Sequence, residues 1–258
     1  MRILVTSGGT RVPIDRVRHI GNMSNGTFGA RIALQLLRND PDPELLTFFH
    51  ARHSKTPFVV PIDASSGLFD EQLFQLAELR KEFPRYSFAY REQSYGDFHE
   101  YERGLRALAL NHDVVVLAAA VSDYLVGNYV DGKIRSSKDA LRIDLELAPK
   151  LIGEIRALNP KCVTVGFKLL VDSNDDDLVA AAKESAIKND CALVVANDLR
   201  DIQRGQHRVL LVNKDGLVAR HDSSSRRGPA RHGDDPPNKL ADEVAKAILA
   251  LARTAGVK

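Results

Sequence analysis

Four groups of residues in this chain have types and spacings suited to holding phosphate and acyl groups. The first is Thr6-Ser7-Gly8-Gly9-Thr10. Glycines let backbone approach a ligand closely, and exposed N–H groups and hydroxyls can cradle a phosphate. The run lacks both the Lys-Ser/Thr of a Walker loop and a Gly-x-Gly-x-x-Gly turn, so a plain tight turn accounts for it equally well. The second is Arg18-His19-Ile20-Gly21-Asn22-Met23-Ser24-Asn25-Gly26. Ser24 or Asn25 is placed to cap the helix that follows, whose N-terminus favours an anion, and Arg18 suits a carboxylate or phosphate. An ordinary capping turn explains the same residues.

The third is Ala118-Ala119-Ala120-Val121-Ser122-Asp123-Tyr124. Small residues at a strand end leave room for a ligand, and Asp123 can accept hydrogen bonds from a base or help place a metal. Close behind it, Gly132-Lys133-Ile134-Arg135-Ser136-Ser137-Lys138 reads as a basic flap. A lysine there suits the neutralising of a triphosphate; a solvated surface loop is the competing view. The fourth group is Val165-Gly166-Phe167-Lys168 with Ala196-Asn197-Asp198-Leu199. An aromatic at a strand end can stack on a base, although a plain core position is the default for Phe167.

These groups need a scaffold that gathers them. Arg2 to Thr6, Asp113 to Leu117, Cys162 to Phe167 and Ala192 to Ala196 are continuous apolar, β-branched runs, the pattern of strands covered on both faces. Helix-period stretches lie between them, at Phe28 to Arg38, Tyr101 to Leu110, Lys150 to Leu158 and Leu178 to Lys188. The alternation predicts an α/β fold, a Rossmann-like, doubly wound, mostly parallel sheet with helices on both faces. In such sheets ligands sit beyond the carboxyl ends of the strands, where all four groups fall.

The stretch from about 40 to 95 reads as an insertion within a single domain spanning 1–258: a strand at Glu44 to Phe49, a helix at Phe69 to Phe83 and a strand at Tyr86 to Tyr90. Residues 209–218 form a hairpin around Asp215-Gly216. Residues 221–238, rich in Ser, Arg, Gly, Asp and Pro, predict a mobile loop, and an amphipathic helix runs from about Leu240 to Arg253.

Composition narrows the classes. A hydrophobic fraction of 44% and a charged fraction of 27% suit a globular protein, and a net charge of +2 with interspersed signs gives no basis for nucleic-acid binding. No apolar run approaches the ~20 residues of a membrane span. The N-terminus leads straight into a strand without a signal-peptide layout, and Cys162 and Cys191 share no metal-ligand spacing, so the expectation is a cytoplasmic protein with two reduced thiols. The eight histidines are scattered and read as surface or satisfied core residues.

Taken in order, Val5-Thr6-Ser7-Gly8-Gly9-Thr10-Arg11-Val12-Pro13, Val17-Arg18, Asn22-x-Ser24-x-Gly26, Ala-Ala-Ala-Val-Ser-Asp-Tyr, Lys133-Ile134-x-Ser-Ser, Gly-Phe-Lys-Leu-Leu-Val and Ala-Asn-Asp-Leu closely resemble the phosphopantothenate–cysteine ligases, in their free-standing form. The resemblance covers nearly the whole chain outside about 40–95 and 221–238. It implies that the carboxylate of 4′-phosphopantothenate attacks the α-phosphate of a nucleoside triphosphate, releasing pyrophosphate. The amine of cysteine then displaces the nucleoside monophosphate to form an amide.

The resemblance further implies residue roles. Asn22 holds the acyl-nucleotide, Arg18 belongs to the same loop, and Lys133 is the flap lysine facing the triphosphate. The nucleotide is lined by Gly8, Gly9, Ala119, Asp123, Pro149 of the turn Ala148-Pro149-Lys150-Leu151, Phe167 and Lys188, with Ala118 on the substrate side. Mg²⁺ accompanies the triphosphate without an assigned protein ligand, and the assembly is a homodimer. Lys150 stands where bacterial members have aspartate and Asn25 where serine or threonine is usual, while the Ser-Gly-Gly-Thr-x-Val-Pro start is shared with eukaryotic members; ATP and CTP both remain open. Two alternatives stand beside this reading. An NAD(P)-dependent reductase would need the glycine turn that is absent here, and a non-catalytic, ligase-like binding subunit would keep the fold without the activity.

Overall fold

In the computed structural model, described for residues 1–59, 69–136, 140–204, 207–223 and 236–257, the chain opens on β1 (Arg2–Ser7). A small antiparallel hairpin, β2 (Arg11–Pro13) and β3 (His19–Gly21), leads into α1 (Thr27–Asn39). Then come β4 (Leu45–Ala51), α2 (Phe69–Tyr86), β5 (Tyr90–Tyr95), α3 (Phe98–Ala109) and β6 (Val114–Leu117). A second hairpin, β7 (Tyr124–Val126) and β8 (Leu145–Leu147), precedes a 3-10 turn at Leu151–Glu154 and the one-turn α4 (Ile155–Leu158). The remainder is β9 (Val163–Leu170), α5 (Asp175–Lys188), β10 (Leu193–Asp198), α6 (Leu199–Gln203), β11 (His207–Val212), β12 (Leu217–Ser223) and α7 (Pro236–Thr254).

Eight strands form one sheet in the order β12-β11-β10-β9-β6-β1-β4-β5. All pairings from β5 to β10 are parallel, and β11 and β12 add an antiparallel edge. From β1 the chain winds outward through β4 to β5, then returns to the other side of β1 at β6. The β1/β6 boundary is therefore where the winding reverses, the position at which such sheets bind ligands.

The parallel strands are apolar throughout because helices cover both faces. One face is packed by α1 and α7, with Ile32, Leu36, Leu37, Val244 and Ile248 buried against Val5, Phe48, Val116, Val165 and Val195. Complete burial of a side chain such as Ile32 is worth about 1.5–3 kcal/mol. The other face carries α3 and α4, with Tyr101, Leu105 and Ile155 over Leu4 and Val115; α5 packs on β10 and β11 through Leu178, Ala182 and Ala186.

The doubly wound sheet is as expected, and β4 and β5 make residues 45–51 and 90–95 part of it. One strand differs: the aromatic run Tyr86 to Tyr90 is the end of α2 and a turn, and the strand is Tyr90–Tyr95. It is an edge strand with four exposed polar residues between buried tyrosines, so it lacks the apolar run that marks central strands. The Lys150 to Leu158 helix divides into a 3-10 turn and one α turn. The expected mobile loop is shorter, since His221 to Ser223 belong to β12 and residues 236–238 open α7; its remainder, residues 224–235, lies outside the described residues, as do Ser137 and Lys138 of the flap. Among the described residues no helix is long and apolar enough to cross a membrane.

Candidate active site

Beyond β1 and β6 the chain keeps pairing. The Thr10 amide donates to the Ala120 carbonyl at 3.1 Å, and the Ala120 amide donates to the Gly8 carbonyl at 2.8 Å. The Asn22 carboxamide nitrogen donates to that same Ala120 carbonyl at 2.7 Å. Three of the four predicted groups thus meet at one backbone oxygen. Thr6 and Thr10, both buried, tie the layers together: the Ala119 amide donates to the Thr6 hydroxyl at 3.3 Å and the Ser122 amide to the Thr10 hydroxyl at 2.9 Å.

The glycines are demanded by protein neighbours. Gly8 has φ +84, and a Cβ there would lie 2.7 Å from the Cβ of Ala51 and 2.8 Å from that of Ser54. A Cβ on Gly9 would lie 2.7 Å from the Asn22 carbonyl oxygen, so Gly9 permits the hairpin to press Asn22 into the junction. Gly29 allows α1 to rest on β1, since its Cβ would come 2.4 Å from the Ser7 hydroxyl and 3.5 Å from Ala118. The buried Tyr95 hydroxyl donates to the Ser7 carbonyl at 2.8 Å. Tyr95 and Ser54 escaped sequence reasoning. Tyr95 ends β5 and Ser54 lies just past β4, so position at the carboxyl end of a strand was the available signal.

The start of α1 differs from the expected cap. Gly26, in the left-handed conformation, is the capping residue and gives no side-chain hydrogen bond. Asn25, one residue earlier, accepts from the Thr27 amide at 3.1 Å and the Thr27 hydroxyl at 2.8 Å; Ser24 reaches only the Gly26 amide, at 3.4 Å. No acidic residue occupies the first turn, so the positive end of the helix dipole is not offset within α1.

The base of the flap is fixed by Asp15. Its carboxylate, almost fully buried, accepts from the amides of Val17 and Arg18 at 2.7 Å, from the Ile134 amide at 3.0 Å and from the Arg18 guanidinium at 3.2 Å. The Ile134 amide is the largest influence on its pKa. Together with the amides of Val17 and Arg18 and the Arg18 charge, it outweighs the upward push of burial and holds the group below the ordinary 3.8. The carboxylate is therefore ionised through the neutral range, and its hold on Ile134 weakens only as pH falls through that lowered value. The second guanidinium nitrogen of Arg18 donates to the Ile134 carbonyl at 3.2 Å, and the Arg16 amide donates to the Gly132 carbonyl at 2.9 Å. Lys133 lies between these two anchors, so its backbone is placed while its side chain is exposed to solvent. Arg18 serves here to position the flap, with two nitrogens already engaged.

Asp123 and the turn at Ala148 to Lys150 also meet. The Ala148 amide donates to the Asp123 carbonyl at 2.9 Å, and the Lys150 ammonium pairs with the Asp123 carboxylate. Both side chains and Pro149 are exposed. Phe167 lies apart from them: its half-buried ring packs edge-on against Phe28 of α1, 6.3 Å between centroids, on the α1/α7 face. Lys188 is not brought to the junction. It closes α5, and the residues after it face the short helices, with Asp190 bonded to Arg156 at 2.8 Å and Asn189 beside Gly153. Helix period alone placed Lys188 correctly on α5, but which end of the sheet that turn reaches is a tertiary matter.

Residues 1–51 and 99–233 match the family described as DNA/pantothenate metabolism flavoprotein C-terminal domain. The chain belongs to this family. A bifunctional coenzyme A biosynthesis protein CoaBC from Thermococcus kodakarensis is 31% identical over 83% of this chain and 45% of its own length. The phosphopantothenate–cysteine ligase of Mus musculus is 29% identical over 83% of this chain and 76% of that protein. The chain spans about half the length of the bifunctional relatives it matches, from 40% to 50% in three of them. A DNA/pantothenate metabolism flavoprotein from Streptococcus pneumoniae superposes with a TM-score of 0.73 at 25% identity, over 97% of this chain and 99% of that one. A Cab2 mutant in complex with phosphopantothenate-cysteine shares the fold, with a TM-score of 0.75 at 21% identity, over 98% and 86%. Membership of this family sets aside the reductase alternative.

Proposed function

We propose that this chain is a phosphopantothenate–cysteine ligase of coenzyme A synthesis, activating the 4′-phosphopantothenate carboxylate as an acyl-nucleotide and then joining it to cysteine. The reading is carried by the junction at which Gly9, Asn22 and Ala120 close on one another at the β1/β6 boundary, beside a lysine-bearing flap anchored by Asp15. Family membership and the named relatives support it.

The chemistry asks little covalent work of the protein. The substrate carboxylate displaces pyrophosphate from the α-phosphorus, and the cysteine amine displaces the nucleoside monophosphate from the acyl carbon. Orientation and charge neutralisation must lower both barriers. Asn22, held by its bond to Ala120, keeps its carboxamide oxygen and second N–H for the acyl-nucleotide. The amides at the start of α1 and the Lys133 ammonium meet the negative charge of the triphosphate. Gly8, Ala118 and Ala119 border the acyl-nucleotide in this reading, and Asp123 and Pro149 recognise its base end, whereas Phe167, packed on Phe28 away from them, does not join that group. Mg²⁺ enters with ATP or CTP as part of the substrate; among the described residues no three His, Cys, Asp or Glu side chains gather as a metal site. The working form is a cytoplasmic homodimer.

The test is pyrophosphate release from purified protein supplied with phosphopantothenate, Mg²⁺ and either ATP or CTP. Release with at least one nucleotide, dependent on all components, is expected; inactivity with both would leave the binding-subunit alternative. Asn22→Asp removes the donor to Ala120 and sets a carboxylate against that carbonyl, so turnover should fall by ~10²–10³-fold, the range seen on losing one preorganised donor. An unaltered rate would take Asn22 out of the site.

A further inference from the structure

A cleft of about 240 Å³ opens between the β2–β3 hairpin and the loops that follow β4 and β5, and it shares its wall with a neighbouring cleft of about 260 Å³. One end is the junction itself, at Gly9 and Asn22. Four basic side chains line much of the rest: Arg11 and His19 come from the hairpin, Arg52 and His53 from the loop after β4. His19 has its pKa pushed down by burial first, then by the positive charge of Arg11 and of His53, which agrees with the three sharing one space.

Of the nearby carboxylates, Asp15, Asp97 and Asp131 are committed elsewhere, whereas Glu100 pairs with Arg52. Asp15 is buried under its four donors. Asp97 caps α3 by accepting from the Glu100 amide at 2.8 Å, and Glu100 accepts from the Gly96 amide at 2.6 Å while reaching Arg52 only at 3.5 Å. Asp131 pairs with Arg16. Among the described residues no carboxylate pairs with Arg11, His19 or His53. Arg11 and Arg52 share this wall with Glu100 as the only carboxylate pairing with either among the described residues, and two guanidinium groups so placed gain stability when an anion with several oxygens enters. Guanidinium forks match phosphate oxygens in pairs.

We propose that this cleft is a phosphoryl subsite, in which Arg11 and Arg52 bind phosphate oxygens and His19 and His53 flank them. Its place in catalysis rests on the ligase reading above. Two phosphoryl groups of that reaction can reach it, the pyrophosphate end of the nucleotide and the phosphate monoester of the acid. The family match stops at residue 51 and resumes at 99, so Arg52 and His53 lie outside it and supply part of the wall from the intervening segment.

Calorimetric titration of the full chain tests the subsite without turnover. Inorganic pyrophosphate, 4′-phosphopantothenate and unphosphorylated pantothenate are each titrated into the wild type, Arg11→Gln/Arg52→Gln and Arg11→Lys/Arg52→Lys. A control pair, Arg80→Gln/Arg253→Gln, removes the same two charges from α2 and α7. The Gln pair should weaken pyrophosphate or phosphopantothenate at least 10-fold, the Lys pair should retain most of the affinity, and pantothenate and the control should change less than twofold. Whichever phosphorylated ligand loses affinity names the source of the phosphoryl group. Equal affinities in wild type and the Gln pair, an equal loss in the control pair, or no binding of either anion to the wild type would overturn the proposal. Because binding is read directly, a protein that binds through these arginines yet releases no pyrophosphate with either nucleotide would sink the ligase reading alone. An active enzyme indifferent to the Gln pair would sink the subsite alone.

Discussion

Helices α1 and α5 both begin at the carboxyl edge of the sheet, and their first turns are built in opposite ways. Helix α5 is closed: Asn174 accepts from the Asp177 amide at 2.9 Å, and Asp175, Asp176 and Asp177 fill the first turn. Helix α1 is more open: its glycine cap offers no side chain, no acid lies in its first turn, and Asn25 ahead of the cap meets the Thr27 amide. A capped, acidic first turn satisfies the helix from within, whereas an open one keeps its positive end for something outside the chain. The two ends therefore differ in what they leave available: the first turn of α5 is satisfied from within, while α1 leans on Ser7 through Gly29 and carries no acid at its start.

That contrast can be broken most severely at Gly29. Gly29→Ala would drive a methyl into Ser7 and push α1 away from β1, and kcat/KM for the nucleotide should fall about 100-fold, the scale of a misplaced reacting group. Near-normal kinetics in a variant with a native circular dichroism spectrum would show that this close approach does not place the site. A smaller and more discriminating change is Thr27→Glu, which gives α1 the acid it lacks. The helix should gain about 0.3–1 kcal/mol. The nucleotide KM should nonetheless rise several-fold, because the new carboxylate opposes the incoming phosphate. Thermal melts and initial rates moving in the same direction would defeat the comparison. The mildest change is Asn174→Ala in α5, expected to cost about 1 kcal/mol of stability with kcat/KM unchanged. A matching loss of activity would mean that α5 also belongs to the site.

Much of the scaffold could be read from the residues because buried parallel strands are apolar on both faces and helices repeat with their own period. Arg2–Ser7, Val114–Leu117, Val163–Leu170 and Leu193–Asp198 carry that signal within a few residues of the expected bounds. The two hairpins β2–β3 and β7–β8 do not. Each strand is three residues long, several side chains are exposed, and only contact with the strand-end loops makes them ordered. Tyr90–Tyr95 was obscured for a related reason, since an edge strand with a polar centre resembles a loop.

The residues alone determined which chemistry-bearing loops exist and that a doubly wound sheet would carry them to one edge, because periodicity and strand direction are local properties. Tertiary structure decided which loops touch. It put Ala120 under both Thr10 and Asn22, gave Asp15 the task of holding Ile134 across 119 positions of chain, turned the Phe167 ring toward Phe28, and left Lys188 on the last turn of α5. Those outcomes depend on helix ends, hairpin register and the close packing that Gly8, Gly9 and Gly29 permit, and such distances are fixed only once distant segments have come together.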